Sequence, residues 1–509
     1  MGGTNTDAVV VEGGAKLIAK AKVPTTPDVT SGISLALREV LEKPGVDRRK
    51  IHYAMLGTTQ CTNAIVQRRG LNRVAVIRIG APATRGVPPL FAWPSQLRRE
   101  ACRCVEIVRG GYEYDGREIS PLDEKHLARI AKRIPKDAQA VAVVGVFSPV
   151  NPNHEERAKT ILQRELGDDF PITLSSEIGG IGLLERENAA VLNAALLTIA
   201  RQAINGFRKA IDELGLHTRL YLSQNDGTLM AIDYALRFPI LTIACGPANS
   251  IRGAAYLSKV TDGVVVDIGG TTTDVGALKQ GFPRESAVAV EIGGVRTQFR
   301  MPDIISVGMG GGSIVRTDPL RVGPESVGFE LVTKARVFGG TTLTASDVAV
   351  RLGRARFGDP ARVAKLPSQL VQEAASYIQA AIQDAILRIK LSGKPVPVVL
   401  VGGGACLMDK KRLNGVSKVL APPHHDVANA IGAAIAQVGG EVERVFSLEQ
   451  YERSELLEIT KQAALERAVQ AGAFRSTVRF VNIEEIPVTY LPGNAVRVRV
   501  KAVGDLGAA

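Results

Sequence analysis

The stretch VVVDIGGTTTDVGAL, residues 264–278, decides how this 509-residue chain is interpreted. Its central hexapeptide, GGTTTD at 269–274, aligns without gaps with GGTNTD at 2–7, near the start of the chain. Small or β-branched residues follow the acid in both copies, which predicts a strand-turn-strand hairpin each time. The repeat therefore indicates a duplicated architecture in which each half contributes one such hairpin.

A hairpin of this composition is suited to binding phosphate. Glycines let backbone N–H groups approach an anion closely, threonines add hydroxyl donors, and a neighbouring carboxylate can hold Mg²⁺ against phosphate oxygens. One such turn would be weak evidence, but two of them predict a phosphate clamp. The residues predicted to hold phosphate are Gly2, Gly3, Thr4 and Thr6 in the first copy and Gly269, Gly270, Thr271 and Thr273 in the second.

A third glycine-rich element follows an apolar strand later in the chain. VVLVGGGACL, residues 398–407, ends its hydrophobic run in Gly402, Gly403 and Gly404. Glycines at the end of a strand allow a flat ligand such as adenine or ribose to lie against the backbone. Two phosphate hairpins and this element, in this order, predict a nucleotide site.

Length and composition limit the class of protein. A chain of 509 residues is too long for one compact core, which predicts two or three domains. It shows no apolar run long enough to cross a membrane and no secretory signal, so we expect a cytoplasmic protein. The net charge of +12 is spread over scattered Lys and Arg with few aromatic residues, which disfavours a nucleic-acid groove. The five cysteines lack metal-ligand spacing and are expected to be free thiols.

The rest of the chain alternates strand-like and helix-like segments, a pattern typical of α/β proteins. RVAVIRIG (73–80) and AQAVAVVGV (138–146) are interpreted as strands, and residues 183–215 and 366–391 as long helices. The Pro-rich stretch from Gly80 to Leu122 is expected to be an irregular insertion or a lid loop. From about residue 441, a helix followed by strands predicts a small α+β appendage.

The order of these elements resembles the actin-like ATPase fold and, more narrowly, the A-type chains of the hydantoinase/5-oxoprolinase family. The stretches that carry the resemblance extend over almost the entire chain and include LGTTQCTNAIVQRRG, CGPANSIRGAAYL, VDIGGTTTDVG, SVGMGGGSI and ANAIGAAIA. The resemblance implies an α/β protein with duplicated actin-like (ribonuclease H-like) domains around a nucleotide cleft. Its expected parts are an N-terminal half at 1–255 with an insertion, a second half at 256–440, and a small α+β domain at 441–509.

The resemblance also implies an activity and a set of site residues. The expected protein is an ATP- and Mg²⁺-dependent subunit that opens a hydantoin-like or 5-oxoproline-like cyclic amide by phosphorylating the amide carbonyl oxygen. Asp267, Asp274 and Asp7 would be the catalytic acids, with Asp267 as the metal ligand and Asp7 as the pseudo-symmetric counterpart of Asp274. Water would attack at a site supplied by a B-type partner subunit, in an oligomer that binds neither nucleic acid nor membrane.

Three other activities stay open on the same fold. The first is a small-molecule kinase that releases a stable phosphorylated product, and the second is a carboxylase-type subunit that activates a ketone and bicarbonate. The third is an ATP-driven activator with no metabolic substrate, which the lack of a separate apolar peptide-binding domain argues against. Thr58, Thr59 and Asn63 begin a predicted helix and are further candidates for a substrate or phosphate site.

The two copies of the hairpin differ in what precedes them. In the second copy the apolar run 264–268 forms a predicted strand that delivers Asp267 to the metal. In the first copy Met1 stands at the position that corresponds to Ile268. Because loss of a buried central strand would leave ladder hydrogen bonds unsatisfied, we expect the gene to start upstream, with roughly eight or more residues ending in an aspartate.

Overall fold

A computed structural model describes residues 4–14, 16–26, 29–286, 290–297, 301–411, 413–489, 491 and 494–506. The helices are α1 (Val29–Leu41), α2 (Gln60–Gln67), α3 (Ser95–Ala101), α4 (Glu124–Ala131), α5 (Asn153–Leu166), α6 (Leu183–Glu213), α7 (Ile232–Arg237), α8 (Cys245–Ser258), α9 (Leu331–Lys334), α10 (Ala345–Arg351), α11 (Ser368–Ile389), α12 (Ala428–Ala434) and α13 (Arg453–Gln470). The strands of the first 250 residues are β1 (Asn5–Glu12), β2 (Lys16–Pro24), β3 (Tyr53–Leu56), β4 (Val74–Ala81), β5 (Cys102–Arg109), β6 (Ala140–Gly145), β7 (Ile172–Leu174), β8 (Arg219–Ser223) and β9 (Leu229–Ala231). The later strands are β10 (Gly263–Ile268), β11 (Thr273–Lys279), β12 (Phe282–Pro283), β13 (Val290–Ile292), β14 (Val295–Thr297), β15 (Ile304–Val307), β16 (Ser313–Thr317), β17 (Leu320–Ser326), β18 (Val396–Val401), β19 (Val416–Leu420), β20 (Val438–Ser447), β21 (Arg479–Pro487) and β22 (Ala495–Gly504).

The second half is built around β10 as a central strand. β10 pairs antiparallel with β11 on one side and parallel with β18 on the other, and β19 continues the sheet beyond β18. Val264 and Val266 pack in a core shared with helix α11, whereas Val265 packs in a core shared with α8 and α12. Since helices cover both faces, β10 is apolar on both faces.

The first half repeats part of this arrangement. β1 and β2, on either side of Gly13 and Gly14, form an antiparallel hairpin, and β3 and β8 pair in parallel. The hairpin is a sheet of its own, whereas β3 is the last strand of a sheet in the order β21-β22-β20-β9-β8-β3. The C-terminal strands β20 to β22, with α13 packed against them, therefore continue the sheet of the first half.

An insertion between β3 and β8 holds a parallel sheet in the order β5-β4-β6-β7. The expectation of an irregular stretch from Gly80 to Leu122 is wrong in part, because α3 and β5 lie inside it and β5 pairs along the whole of β4. The strand segments 73–80 and 138–146 and the long helices at 183–215 and 366–391 are confirmed as β4, β6, α6 and α11.

The structure also bears on the expected domain boundaries, membrane spans and cysteines. The proposed boundaries at 255/256 and 440/441 fall within α8 and within β20, and the division into three domains stays a prediction. In the described ranges, no helix combines the length and apolar character needed to span a bilayer. All five cysteines are free, as expected.

Candidate functional site

The turn of the second hairpin is held rigidly from behind by another glycine cluster. The backbone N–H of Gly269 donates to the carbonyl of Thr272 at 2.9 Å and closes the turn. Gly311 and Gly312 donate to the carbonyls of Gly269 and Gly270 at 3.0 and 2.6 Å. The glycine cluster in SVGMGGGSI (306–314) therefore supports the turn, because Gly311 and Gly312 donate the hydrogen bonds that the carbonyls of Gly269 and Gly270 accept.

The first hairpin meets the second at this turn. The hydroxyl oxygens of Thr4 and Thr271 lie 3.3 Å apart, although 267 residues separate them. The contact requires a glycine at 270, because an added Cβ there would lie 2.4 Å from Oγ1 of Thr4. Gly2 and Gly3 lie outside the described residues, so their predicted role stays a prediction.

Three carboxylates converge on the same region. Asp267 and Asp274 are directly opposite each other across the β10–β11 ladder. Ser250 of α8 donates a hydrogen bond to Asp267 at 2.5 Å, and Ser306 of β15 donates to Asp274 at 2.5 Å. Asp7 of β1 is close enough to Asp267 for its charge to influence the titration of Asp267.

Both acids of the second hairpin hold their protons more tightly than an exposed aspartate. Burial raises the pKa of Asp267, the charge of Asp7 adds to the rise, and the Ser250 hydroxyl and Lys22 oppose it. Burial likewise raises the pKa of Asp274 to about 6, with a further contribution from Asp267. A raised carboxylate pKa in a cleft is typical of groups that bind cations or move protons.

Lys22 is a site residue that sequence reasoning missed. It lies opposite Asp7 in the β1–β2 ladder, and its Nζ is 2.7 Å from Oδ1 of Asp7. Two residues earlier on the same face of β2, Lys20 forms an ion pair with Asp426 at 2.8 Å and joins the two halves. The alternation of lysines in KLIAKAKV (16–23) was the available signal, because side chains two apart on a strand share a face.

Gly402 to Gly404 pass directly behind the end of β10. The N–H of Gly404 donates to the carbonyl of Ile268 at 2.8 Å, and a Cβ on Gly402 would lie 2.4 Å from Oδ1 of Asp267. Gly403 differs, since a Cβ there would meet no atom within 4 Å. It therefore presents bare backbone to open space, which fits a flat ligand lying against it.

One cavity of about 1540 Å³ connects these features. Its lining includes most of the predicted site residues: Thr4, Thr6, Asp7, Asp267, Gly269, Gly270, Thr271, Asp274, Gly402, Gly403 and Gly404. Among the predicted site residues that the structure describes, Thr273 does not line the cavity, and the prediction that it holds phosphate is wrong: it is fully buried and donates its hydroxyl to the carbonyl of Met309 at 2.7 Å. Thr272, which lies in the turn, lines the cavity in its place.

The residues at the start of α2 border the same cavity. Thr59 is the N-cap of this helix, and Thr59 and Asn63 line the cavity, whereas Thr58 is buried. Asn429 at the start of α12 lines it too, and donates to the carbonyl of Gly246 at 2.8 Å and to the hydroxyl of Ser250 at 3.1 Å. These polar groups line the same cavity as the acids, where they could hydrogen-bond to a small polar substrate.

The carboxylates of this cleft suit a magnesium ion only if water and phosphate oxygens complete its coordination shell. Among the described residues, no three His, Cys, Asp or Glu side chains form a group that could hold a metal by themselves. Mg²⁺ commonly binds one or two carboxylates and completes its shell with water and phosphate oxygens. Asp267 at the cleft is therefore suited to an ion that arrives with a phosphorylated ligand.

Comparison with known families was made on the whole sequence. The model of the hydantoinase/oxoprolinase N-terminal region matches residues 1–166, and the model of hydantoinase/oxoprolinase matches residues 186–396. The two matched regions are separated by residues 167–185 and together contain both glycine-threonine hairpins.

Several curated proteins are similar in sequence. An uncharacterized protein of Methanocaldococcus jannaschii is 28% identical over 76% of this chain and 61% of its own length. The acetophenone carboxylase gamma subunit of Aromatoleum aromaticum is 28% identical over 69% of this chain and 52% of its own. The alpha subunit of the caprolactamase of Pseudomonas jessenii is 27% identical over 69% and 53%. The chain thus spans between 52% and 61% of the length of these relatives.

Two solved structures share the architecture over nearly the whole chain. The ATP-dependent caprolactamase of Pseudomonas jessenii matches 99% of this chain and 86% of its own with a TM-score of 0.80 at 20% identity. The nucleotide-free acetone carboxylase structure matches 99% and 87% with a TM-score of 0.71 at 18% identity. At these identities the likeness concerns the fold, and it confirms the expected duplicated actin-like α/β class.

Proposed function

The chain belongs to the hydantoinase/oxoprolinase family, and on this premise we propose that it is the ATP-using subunit of an enzyme that opens a hydantoin-like or 5-oxoproline-like cyclic amide. The observation that carries the proposal is the meeting of Thr4 and Thr271 at 3.3 Å in a cavity whose wall includes Gly403. A repeated hairpin of this kind supports binding of a nucleoside triphosphate between the two halves.

The proposed role of each residue follows from its position on the cavity wall. Backbone N–H groups and hydroxyls at Gly269 to Thr272 and at Thr4 would position phosphates, and Gly403 would lie against the nucleoside. Asp267 would hold Mg²⁺ with the phosphate oxygens, and Lys22 would neutralise charge from the opposite hairpin. Positioning and charge neutralisation supply most of the rate enhancement in phosphoryl transfer.

Bound ATP would supply the phosphoryl group that makes the amide carbon electrophilic. Transfer to the carbonyl oxygen releases ADP, a water then adds to the carbon, and the ring C–N bond breaks as the amine takes a proton. A second water cleaves the remaining acyl phosphate and releases phosphate and the open-chain acid. Asp274, with its pKa raised to about 6, would remain ionised at neutral pH and could accept a proton.

The partner in this reaction is also proposed. Relatives of this chain carry names that mark them as a gamma or an alpha chain of a larger enzyme, which supports a complex with a second, B-type subunit. That second chain would supply the hydrolytic half of the site.

A direct test measures ADP and ring-opened acid together. The chain and a candidate B-type partner are incubated with ATP, Mg²⁺ and a panel of hydantoin, 5-oxoproline and caprolactam. We expect one ADP per ring opened with one of these amides, and loss of both products in Asp267→Asn. The matched control is Asp262→Asn, which changes an exposed aspartate immediately before β10. ADP release with a stable phosphorylated alcohol, or ADP release driven only by a protein client, would refute the proposal.

A carboxylase-type subunit is a second candidate. It is favoured by the similarity to the acetophenone carboxylase gamma subunit, which is 28% identical to this chain, against 27% for the caprolactamase chain. The discriminating observation is dependence on bicarbonate. ADP release that needs both a ketone and bicarbonate, and that ignores cyclic amides, would select this candidate.

A further inference from the structure

One wall of the cavity is apolar and has no role in the scheme above. We call it the aromatic wall, and its side chains are those of Leu331, Phe338, Phe357, Cys406 and Leu407. The two phenylalanine rings are stacked, with centroids 5.9 Å apart and an angle of 13° between their planes. Leu407 belongs to the core of the second half, and the other four side chains pack against that core. The cavity therefore has a flat, apolar surface on the second half.

The two phenylalanines are fixed by the segments that carry them. Val337, immediately before Phe338, is fully buried. Asp359, two residues after Phe357, donates its backbone N–H to the carbonyl of Val337 at 2.8 Å. Gly358 permits this close approach, since a Cβ there would lie 2.5 Å from the Val337 carbonyl oxygen. Because the aromatic pair is already held in place, a ligand that covers it orders little of the protein.

The aromatic wall is also tied to the glycines at 402–404. Arg354, three residues before Phe357, donates to the carbonyl of Leu407 at 3.2 Å. A second nitrogen of the same guanidinium lies 3.5 Å from a carboxylate oxygen of Asp409. These contacts hold the Phe357 segment against the chain that leaves Gly404. A ligand that lies against the bare backbone of Gly403 therefore has the aromatic wall beside it.

This part of the cavity has few groups that could read the edge of a base. Among the described lining residues between 331 and 407, only Ser346 and Cys406 have polar side chains. Ser346 lies at the phosphate end, because its Oγ would be 3.0 Å from a Cβ on Gly311, and Gly311 supports the turn at Gly269. No carboxylate, amide or cationic side chain from this described range lines the cavity. The wall is thus suited to the face of a ring system and offers its edge little.

We propose that the base of the bound nucleotide stacks on the aromatic wall, so that the site accepts adenine and guanine nucleotides with little distinction. The inference rests on the proposed binding of a nucleoside triphosphate in the cavity. Stacking on an aromatic side chain tolerates different bases, because every base has a π-face. A site that hydrogen-bonds the edge of one base would instead reject an analogue without the matching groups by about 10⁴-fold or more. Phe338 and Phe357 are therefore the residues that set the range of nucleotides.

The test is calorimetry of the full chain with Mg²⁺ and three ligands, namely ATP, GTP and inorganic tripolyphosphate. We expect ATP and GTP to bind within about tenfold of each other, since their faces are alike although their edges differ. Tripolyphosphate, which has no base, is expected to bind about tenfold or more weakly than either nucleotide. These three titrations need no substituted protein, so they decide the matter even if a variant of the wall does not fold.

Phe357→Ala then tests the aromatic wall directly. We expect it to weaken the binding of ATP and of GTP about tenfold alike, and to leave tripolyphosphate unchanged, because the lost contact is made by the base alone. The matched control is Phe480→Ala, which removes an exposed ring on β21 that is not among the described lining residues. It should leave all three affinities unchanged.

The outcomes distinguish this inference from the proposed function. A preference for ATP over GTP of more than about tenfold would overturn the inference and leave the proposed function standing. Unchanged ATP affinity in Phe357→Ala, or an equal loss for tripolyphosphate, would overturn it as well, since the base would not then depend on the ring. Failure of both nucleotides to bind the native chain would refute the proposed function and the inference with it.

Discussion

Thr4 and Thr271 place their hydroxyl oxygens 3.3 Å apart at the point where the two hairpins meet. Both residues line the cavity, so a change that separates the hairpins would widen the space between their backbone N–H groups. Anion binding by such groups depends on their geometry, because each donor must point at the same few oxygens. The spacing of the hairpins is therefore the first property to test.

Replacing Gly270 with Ala is expected to separate the hairpins. The added Cβ would lie 2.4 Å from Oγ1 of Thr4, well inside contact distance. We expect about a 100-fold loss of ATP turnover with a smaller fall in melting temperature, since a displacement of about 1 Å can cost that much in rate. The control is Gly393→Ala, where the new methyl group meets no atom within 4 Å. Equal turnover in Gly270→Ala and Gly393→Ala would contradict the prediction that ATP turnover depends on the close contact between the two hairpins.

Asp267→Asn tests the proposed metal ligand. Asparagine can still accept the hydrogen bond from Ser250, so the local fold should survive. We expect turnover to fall about 100-fold or more, as for loss of a group that stabilises transition-state charge. Calorimetry should show weaker binding of Mg-ATP and little change for ATP in EDTA. An equal loss in both titrations would assign Asp267 a structural role.

Much of this site could be predicted from the sequence because it is built from short local patterns. The repeat of GGTTTD identified both hairpins, and the glycines at 402–404 identified the third wall. Thr273 was predicted to hold phosphate but is buried, because it opens β11 with its side chain on the face opposite that of Asp274. The pairing of Asp7 with Lys22 was out of reach, because it depends on the β1–β2 register and on the irregularity between Val10 and Val11.

The fold of the insertion was harder to predict for a related reason. Prolines around residues 88–94 suggested an irregular stretch, yet β5 begins only eight residues later. Its partner β4 precedes it by more than twenty residues, and pairing at that distance is a tertiary property. The role of α13 and β20 to β22 was missed similarly, since nothing local indicates that they continue the sheet that ends at β3.

Stability should depend on pH through Asp274. Burial raises its pKa from 3.8 to about 6, so the folded state favours the protonated acid. The favourable contribution of protonated Asp274 to the free energy of unfolding is therefore complete below pH 3.8 and is lost as the pH rises through 6. Asp274→Asn is therefore expected to gain about 1 to 2 kcal/mol over the native protein at pH 7.5, after allowance for partial exposure of the carboxylate, and nothing at low pH.

Urea denaturation at pH 4 and pH 7.5 measures this difference. The control is Asp384→Asn, which alters an exposed i,i+4 ion pair on α11 and should change stability equally little at both pH values. A gain for Asp274→Asn that is the same at pH 4 and pH 7.5 would contradict the assignment.

Lys22→Met tests whether Lys22 acts on phosphate. The side chain keeps its length but loses the charge that lies 2.7 Å from Asp7. We expect ATP affinity to fall about tenfold and adenosine affinity to change little, because an opposite charge acts on the phosphates alone. Lys16→Met, on the same strand with 74% of its side chain exposed, is the control. A matching loss for adenosine would indicate that the substitution only disturbs the hairpin.

Arg499→Met tests the buried charge network that joins the second half to the C-terminal sheet. The Arg499 guanidinium contacts both Glu441 of β20 and Glu285, which follows β12, and only 3% of its side chain is exposed. Removing it leaves the half-buried carboxylates of Glu285 and Glu441 without this partner, for which we expect a loss of about 3 kcal/mol in the free energy of unfolding. Arg453→Met breaks an exposed pair with Glu485 at the edge of the same sheet and should cost less than about 1 kcal/mol. Urea denaturation of both variants checks the contrast, and losses of similar size would mean that the network does not hold the halves together.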